Sequence, residues 1–131
     1  MTSGIAPGRR AAERLLYDKE SIARAVTATL YEEHPELIDK HGERGREKTL
    51  QDMHYNIEHL VSSLDLEDPS LIVSYARWLT DVLRARTVDP VYVVRCWELV
   101  ADEARRRYAE DEAAAVAATL DAAIRESRRP V

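Results

Sequence analysis

The chain has 131 residues, 45% of them hydrophobic and 33% charged, with 19 Lys+Arg against 24 Asp+Glu for a formal net charge of -5. That length supports one core, and 4 Gly, 5 Pro and no Phe among abundant Leu, Ala, Val, Glu and Arg argue against a β-sandwich or a Rossmann domain. The single cysteine, Cys96, excludes an internal disulfide and a multi-thiolate metal site and suits a reducing compartment, while the acidic balance argues against a nucleic-acid partner.

In chain order, residues 1–8 read as a flexible lead and 9–131 as a single helical domain. From Arg9, Leu15, Ile22, Val26 and Leu30, with Leu16 and Ala23 beside them, keep the helical period until His34 and Pro35 interrupt it. A short piece follows from Pro35 to His41, and Gly42 and Gly45 bracket the turn GERGREK. The next helix is predicted from about Gly45 to Leu64, with Leu50, Met53, Ile57, Leu60, Val61 and Leu64 on one stripe. Asp68 or Ser70 with Pro69 signals another start, giving a helix from Leu71 to about Arg86 whose inward face is Leu71, Ile72, Tyr75, Trp78, Leu79 and Val82. Asp89 and Pro90 repeat the signal and open a helix through Val94, Trp97, Val100, Ala101, Ala104 and Tyr108. The last runs from Glu110 to Ser127 with Val116, Leu120 and Ile124 inside. The fold class is all-α, five or six helices joined by short loops. MTSGIAPGRR has no apolar signal segment, and no apolar run reaches membrane length, so the expectation is a cytoplasmic protein without a membrane partner.

The chemistry-bearing residues support little catalysis. None of His34, His41, His54 and His59 has a glutamate three residues before it, so a ferritin-like di-iron site is excluded, and no metal ligands are assigned. No Gly-x-Ser-x-Gly, P-loop or glycine-rich cradle is present, and Cys96 beside Trp97 reads as an inert core thiol. No catalytic residues are assigned and the protein reads as a non-enzyme. Arg105, Arg106 and Arg107, followed by Glu110, Asp111 and Glu112, read as a solvated helix face. The exception is Arg44 to His59, where Arg44, Arg46, Lys48, Asp52, His54, Tyr55, Asn56 and His59 surround an apolar stripe. A surface ion pair between Lys48 and Asp52 is the bland explanation. The sharper one is a cleft in which a carboxylate accepts N–H donors and basic groups hold a ligand's own carboxylates.

The run from Thr49 to Leu60, TLQDMHYNIEHL, and the run LEDPSLIVSYARWLTDVLRARTVDPVYVVRCWELV resemble the middle of phycobiliprotein subunits. There a Cys-x-x-Asp helix continues with aromatics, reaches a Gly-Asp-Pro-Ser-like turn and is followed by two further helices. The resemblance is closer to their non-photosynthetic relatives, the bacterial bilin biosynthesis-associated globins. Their HPEL, Gly-x-Arg-Gly-Arg and Asp-x-x-Tyr elements look like His34 to Leu37, Gly42 to Arg46 and Asp52 to Tyr55, and the likeness spans roughly residues 30–108.

This resemblance implies a globin-like fold and a tetrapyrrole ligand, a bilin of the biliverdin kind or, secondarily, heme. The family's thioether cysteine falls at Thr49, so attachment there is excluded, and Asp52 is implied to accept pyrrole N–H groups while Arg44, Arg46 and Lys48 take propionates. Tyr55, His59 and Trp78 complete the expected binding set, in a cleft between the Asp52 helix and the Trp78 helix. The predicted Leu71–Arg86 helix lacks a proximal histidine, and Asn56 stands where bacterial relatives tend to have His after the Tyr; both argue against histidine-dependent heme chemistry. The alternative function is a ligand-free regulatory or dimerisation module of a bacterial sensing or stress-response pathway. A homodimer, a regulatory protein partner, or both are the expected associations, with Ala113 to Ala115, Ala117 and Ala118 as a smooth candidate face.

Overall fold

A computed structural model describes residues 4–130. It contains α1 (Pro7–Glu33), α2 (Glu36–Asp65), α3 (Ser70–Ala85), α4 (Val91–Arg107) and α5 (Glu110–Ser127), with no strand among the described residues. Residues 1–3 of the expected lead lie outside the described residues, while Pro7 and Gly8 already belong to α1. Proline suits this first helical position because its fixed φ is helical and the N–H it lacks has no intrahelical partner there. The helix stops at His34, whose N–H bonds Leu30 O at 2.9 Å, because Pro35 has no N–H to continue the ladder.

Gly42 breaks α2 into an outer segment, residues 36–41, and a long segment, residues 43–65. Its φ of 66° and ψ of -168° lie where a Cβ is not tolerated. The kink also folds His41 against Gly45, where an added Cβ would sit 2.4 Å from the His41 Cβ. Gly45 therefore lies inside the helix, and the long segment starts two residues earlier than the sequence suggested. The two Asp-Pro signals act as read: Asp68 accepts the Ser70 N–H at 3.0 Å and Asp89 the Val91 N–H at 2.9 Å. Hydrogen bonds from Ser70 hold the Asp68 carboxyl below its ordinary range. Before them, α2 and α3 end in left-handed residues, Glu67 and Thr87, and the next N–H turns back to Ser63 O at 2.9 Å and to Leu83 O at 2.8 Å. At α5 the buried Glu112 accepts the Ala109 N–H at 3.1 Å and faces Arg10 and Arg14 of α1.

The most extensive packing joins α1 to α2, while α5 contacts each of the other helices. Trp97, Leu15, Ile22, Met53, Ile57, Leu60, Ile72, Leu120, Val26, Val100 and Val116 form the fully buried centre. Each such side chain is worth about 1.5–3 kcal/mol relative to exposure. Val116, Leu120 and Ile124 are buried as read, and the Arg105–Arg107 run is paired with Asp102 and Glu103 on its own helix.

Two apolar assignments need correction. Leu16 is 56% exposed on α1, and Trp78 is 58% exposed on α3. The buried stripe of α3 is Ile72, Ala76, Leu79 and Thr80: Ile72 and Leu79 face inward as expected, while Ala76 and Thr80 take the place expected for Trp78. Both stripes have helical spacing. The small Ala76 and Thr80 face the core, and Thr80 meets α5 through a hydrogen bond to Ser127 at 2.9 Å; Tyr75 packs half-buried against the core and Trp78 is left outside.

Candidate functional site

Lys48, Asp52 and Asn56 recur every fourth residue on α2 and so share one side of it. That side borders a cavity of about 480 Å³, within the range of about 300–1,000 Å³ usual for small-molecule sites. The interior is apolar: Leu30 from α1, Leu37 and Met53 from α2, Leu79 and Leu83 from α3, and Val93 from α4 all line it. Arg44, Lys48 and Arg86 bring positive charge to it, and the kink at Gly42 brings His41 to the same wall.

Ion pairs and hydrogen bonds fix the walls. Lys48 Nζ donates to Asp52 Oδ1 at 3.1 Å. The Thr49 hydroxyl donates to Gly45 O at 2.9 Å and lies 3.1 Å from the Tyr31 hydroxyl, closing the α1 side. Arg95 of α4 holds Glu33 at the end of α1 through two bonds of 2.8 and 2.7 Å, and these hold the Glu33 carboxyl below its ordinary range. The neighbouring Tyr92 packs edge-on to His34 with ring centroids 5.1 Å apart.

Two buried groups in the wall are chemically distinctive. Asn56 is 3% exposed; its Nδ2 donates to Met53 Sδ at 3.4 Å and its Oδ1 has no partner in the protein. Cys96 lines the same cavity from α4, and burial pushes its thiol up to about 12, so it is protonated at neutral pH and a poor nucleophile. From sequence, Cys96 reads as an inert core thiol and Thr49 occupies the family's attachment position. In the fold both residues border one cavity, from different helices.

Of the seven residues expected to bind ligand, Arg44, Lys48 and Asp52 line the cavity. Arg46 instead places its guanidinium 5.6 Å from the Tyr31 ring centre. Tyr55 is half exposed, and His59 stacks on Tyr75 at 3.9 Å with Trp78 beyond it, so Tyr55, His59 and Trp78 are absent from the lining. Helical geometry gives the reason. Tyr55 is turned about 60° back from Asp52 and Asn56 about 40° to the other side, and His59 lies about 10 Å further along the axis. The cavity borders α3 through Leu79 and Leu83, the residues one step round from Trp78. Burial lowers the affinity of His59 for a proton and raises the Tyr75 hydroxyl well above its ordinary range.

Sequence reading missed Asn56, Arg86, Tyr92 and Cys96 as cavity residues. The four-residue recurrence of Lys48, Asp52 and Asn56 was available as a signal for the first of them. Among the described residues, no group of three or more His, Cys, Asp or Glu is placed to hold a metal ion.

No curated protein matches the chain at a significant level. The sequence profile of the phycobilisome protein family matches residues 7–126. That span runs from the first residue of α1 into the last turn of α5, so the chain belongs to the phycobilisome protein family of globin-like, bilin-binding domains.

Proposed function

We propose that this domain holds a linear tetrapyrrole non-covalently in the cavity beside Asp52, as a non-catalytic, cytoplasmic binding module of the bacterial bilin biosynthesis-associated type. The observation that supports this most is the distribution of polarity around the cavity: Arg44, Lys48 and Arg86 for anionic side arms, Asp52 for ring N–H donors, and aliphatic walls for the ring edges. Thr49 at the family's attachment position and a protonated Cys96 both favour reversible binding. Heme is the poorer fit, because α3 carries no histidine to serve as a proximal ligand. Titrating the purified protein with biliverdin should give a shifted, saturable absorption band that weakens in Asp52→Ala. Denaturation should release all pigment and leave a protein of unmodified mass. Free-ligand spectra throughout would refute the reading, and a mass increase would refute its non-covalent part.

A second reading, a self-associating regulatory module, is favoured by one feature. The groove between α4 and α5 is lined by Arg95, Glu98, Asp102 and Arg105 on one helix and by Ala118 and Asp121 on the other, so charges of both signs flank small residues. Such a surface suits an isologous homodimer in which each patch meets its own copy. Light scattering on gel-filtered protein tests it; a monomer at high micromolar concentration removes it.

A further inference from the structure

Among the described residues, nearly every arginine is engaged by the protein itself. Arg46 lies over the Tyr31 ring, Arg84 donates to Arg129 O at 2.8 Å, and each of the others but two meets a carboxylate. The two without a partner among the described residues are Arg44, in the first turn of the long α2 segment, and Arg86, the C-cap of α3. Both are exposed, and both line the cavity. Carboxylates are in excess in this chain of net charge -5, so two unmatched guanidinium groups bordering one volume are a feature of the site rather than of the composition.

The charges of the lining do not cancel. It holds three permanent cations, Arg44, Lys48 and Arg86, and one carboxylate, Asp52. Lys48 donates to Asp52 at 3.1 Å, so that pair neutralises itself and two positive charges remain. His41 on the same wall adds to them only when protonated. Each guanidinium presents a planar fork of N–H donors that fits one carboxylate. Two of them, carried by different helices around one volume, fit a molecule with two carboxylates. A linear tetrapyrrole of the biliverdin kind is such a molecule, with one propionate on each of its two middle rings. The arginines are exposed, whereas Leu30, Leu37, Leu79 and Val93 of the same lining are buried, so carboxylates are favoured at the rim and ring edges inside.

We propose that Arg44 and Arg86 act as a pair, one carboxylate to each, so that the site selects a dianion and holds the tetrapyrrole with the propionates of its middle rings at the rim. The proposal rests on the tetrapyrrole reading above. A ligand with one carboxylate leaves one arginine unmatched, and a ligand with none leaves both. Selection is therefore by the number of charges and by the edge on which they stand, and it treats the two lactam ends alike.

Absorption titrations of the full chain with biliverdin and with its dimethyl ester, which keeps the rings and removes both charges, test the pairing. Wild type should bind the acid about a hundred-fold more tightly than the ester, about ten-fold for each charge-assisted contact at an exposed rim. Arg44→Gln and Arg86→Gln should each lower acid affinity about ten-fold and leave ester affinity within about two-fold, and the double variant should bind both ligands alike. Arg46→Gln removes the same charge from a side chain outside the lining and should shift neither affinity by more than about two-fold. Biliverdin with a short polyethylene glycol amide on one propionate should lose about ten-fold and no more, since the modified arm stands at the rim. Equal wild-type affinity for acid and ester overturns the pairing and leaves the tetrapyrrole reading standing. Equal losses of acid and ester affinity in the arginine variants overturn it too, because a structural role weakens both. Complete loss of binding by the amide sets the carboxylates inside the cavity and overturns the orientation. Failure of wild type to bind either biliverdin or its ester overturns both readings together.

Discussion

The α3–α5 seam and the cavity beside α2 bury polar side chains in opposite ways. In the seam every such group is used: the Thr80 hydroxyl donates to Ser127 Oγ at 2.9 Å, and Ser63 Oγ, at the adjoining α2–α3 contact, accepts the Ile72 N–H at 2.8 Å. At the cavity, Asn56 is left with a free acceptor. Polar groups that hold helices together are paired with protein, whereas the buried Asn56 Oδ1 has no protein partner. Thr27 Oγ1 and Trp97 Nε1 are unpaired in the same way, in residues that do not line the cavity.

The largest separation between the two sides should come from trimming apolar residues. Ile72 is fully buried in close-packed surroundings, so Ile72→Ala should lose about 3–4 kcal/mol in urea unfolding, from lost burial plus the void left behind. Leu83 borders volume that is already open, and Leu83→Ala should lose about 1 kcal/mol, since few packing partners are abandoned. Similar losses at the two sites would mean that the cavity is closed in solution.

Gly42→Ala should rank next. At its φ of 66° and ψ of -168° a side chain is strained by about 1–3 kcal/mol. The kink also sets His41 and Arg44 at the cavity wall, so the substitution should weaken biliverdin binding as well as lower the urea midpoint, whereas Ile72→Ala should affect stability alone once saturating ligand is present. A destabilised variant with unchanged ligand affinity would show that the kink does not shape the site.

Within the seam, Thr80→Val leaves the Ser127 hydroxyl without its partner and should cost about 1–2 kcal/mol. The double variant Thr80→Val with Ser127→Ala removes both ends of the bond and should recover most of that loss. A non-additive cycle of this kind is the signature of a paired structural group. Asn56→Leu, which removes one unpaired group, should show no such penalty in the ligand-free protein.

Much of the fold was legible because helices announce themselves locally. The Asp68-Pro69 and Asp89-Pro90 starts, the Gly42 break and the core residues from Leu15 to Leu120 follow from caps, φ preference and period, all short-range properties. What was not legible is what depends on helix rotation and on depth. Tyr75 and Trp78 fit the same helical spacing as Ile72 and Leu79, and spacing alone does not tell that Ala76 and Thr80 are buried beside α5 while Trp78 is exposed. The candidate site divided along the same line. Arg44, Lys48 and Asp52 were found from charge and motif, while Cys96 and Arg86 come to the cavity from helices distant in sequence. Tyr55, His59 and Trp78 are aromatic or basic neighbours of Asp52; a rotation of tens of degrees or two turns along α2 removes Tyr55 and His59 from its wall, and Trp78 is exposed on α3.

The smallest expected effect is on acid stability, and it separates the regions by pH. Beside the seam, Arg77 donates to Glu126 at 2.6 Å, and this hydrogen bond, helped by the charge of Arg129 and opposed by desolvation, holds the Glu126 carboxyl below its ordinary 4.5. A lowered carboxyl binds its proton less readily folded than unfolded. Its stabilisation is therefore full above 4.5 and is lost as pH falls through the lower folded value. On the outer face of α2, desolvation lowers His59 from 6.5, which again means that the unfolded chain takes up the proton first. Stability there should begin to fall just below pH 6.5, well before the Glu126 contribution changes. Urea midpoints measured from pH 8 to pH 3 should then decline in two stages. His59→Gln should flatten the upper stage and Arg77→Gln should shrink the lower, to which the lowered Glu33 and Asp68 also contribute, and because His59 stacks on Tyr75 with Trp78 beside it, the upper stage should be accompanied by a change in tryptophan fluorescence. A decline confined to the lower stage would show that His59 takes up its proton equally well folded and unfolded, and that the aromatic stack is open to water.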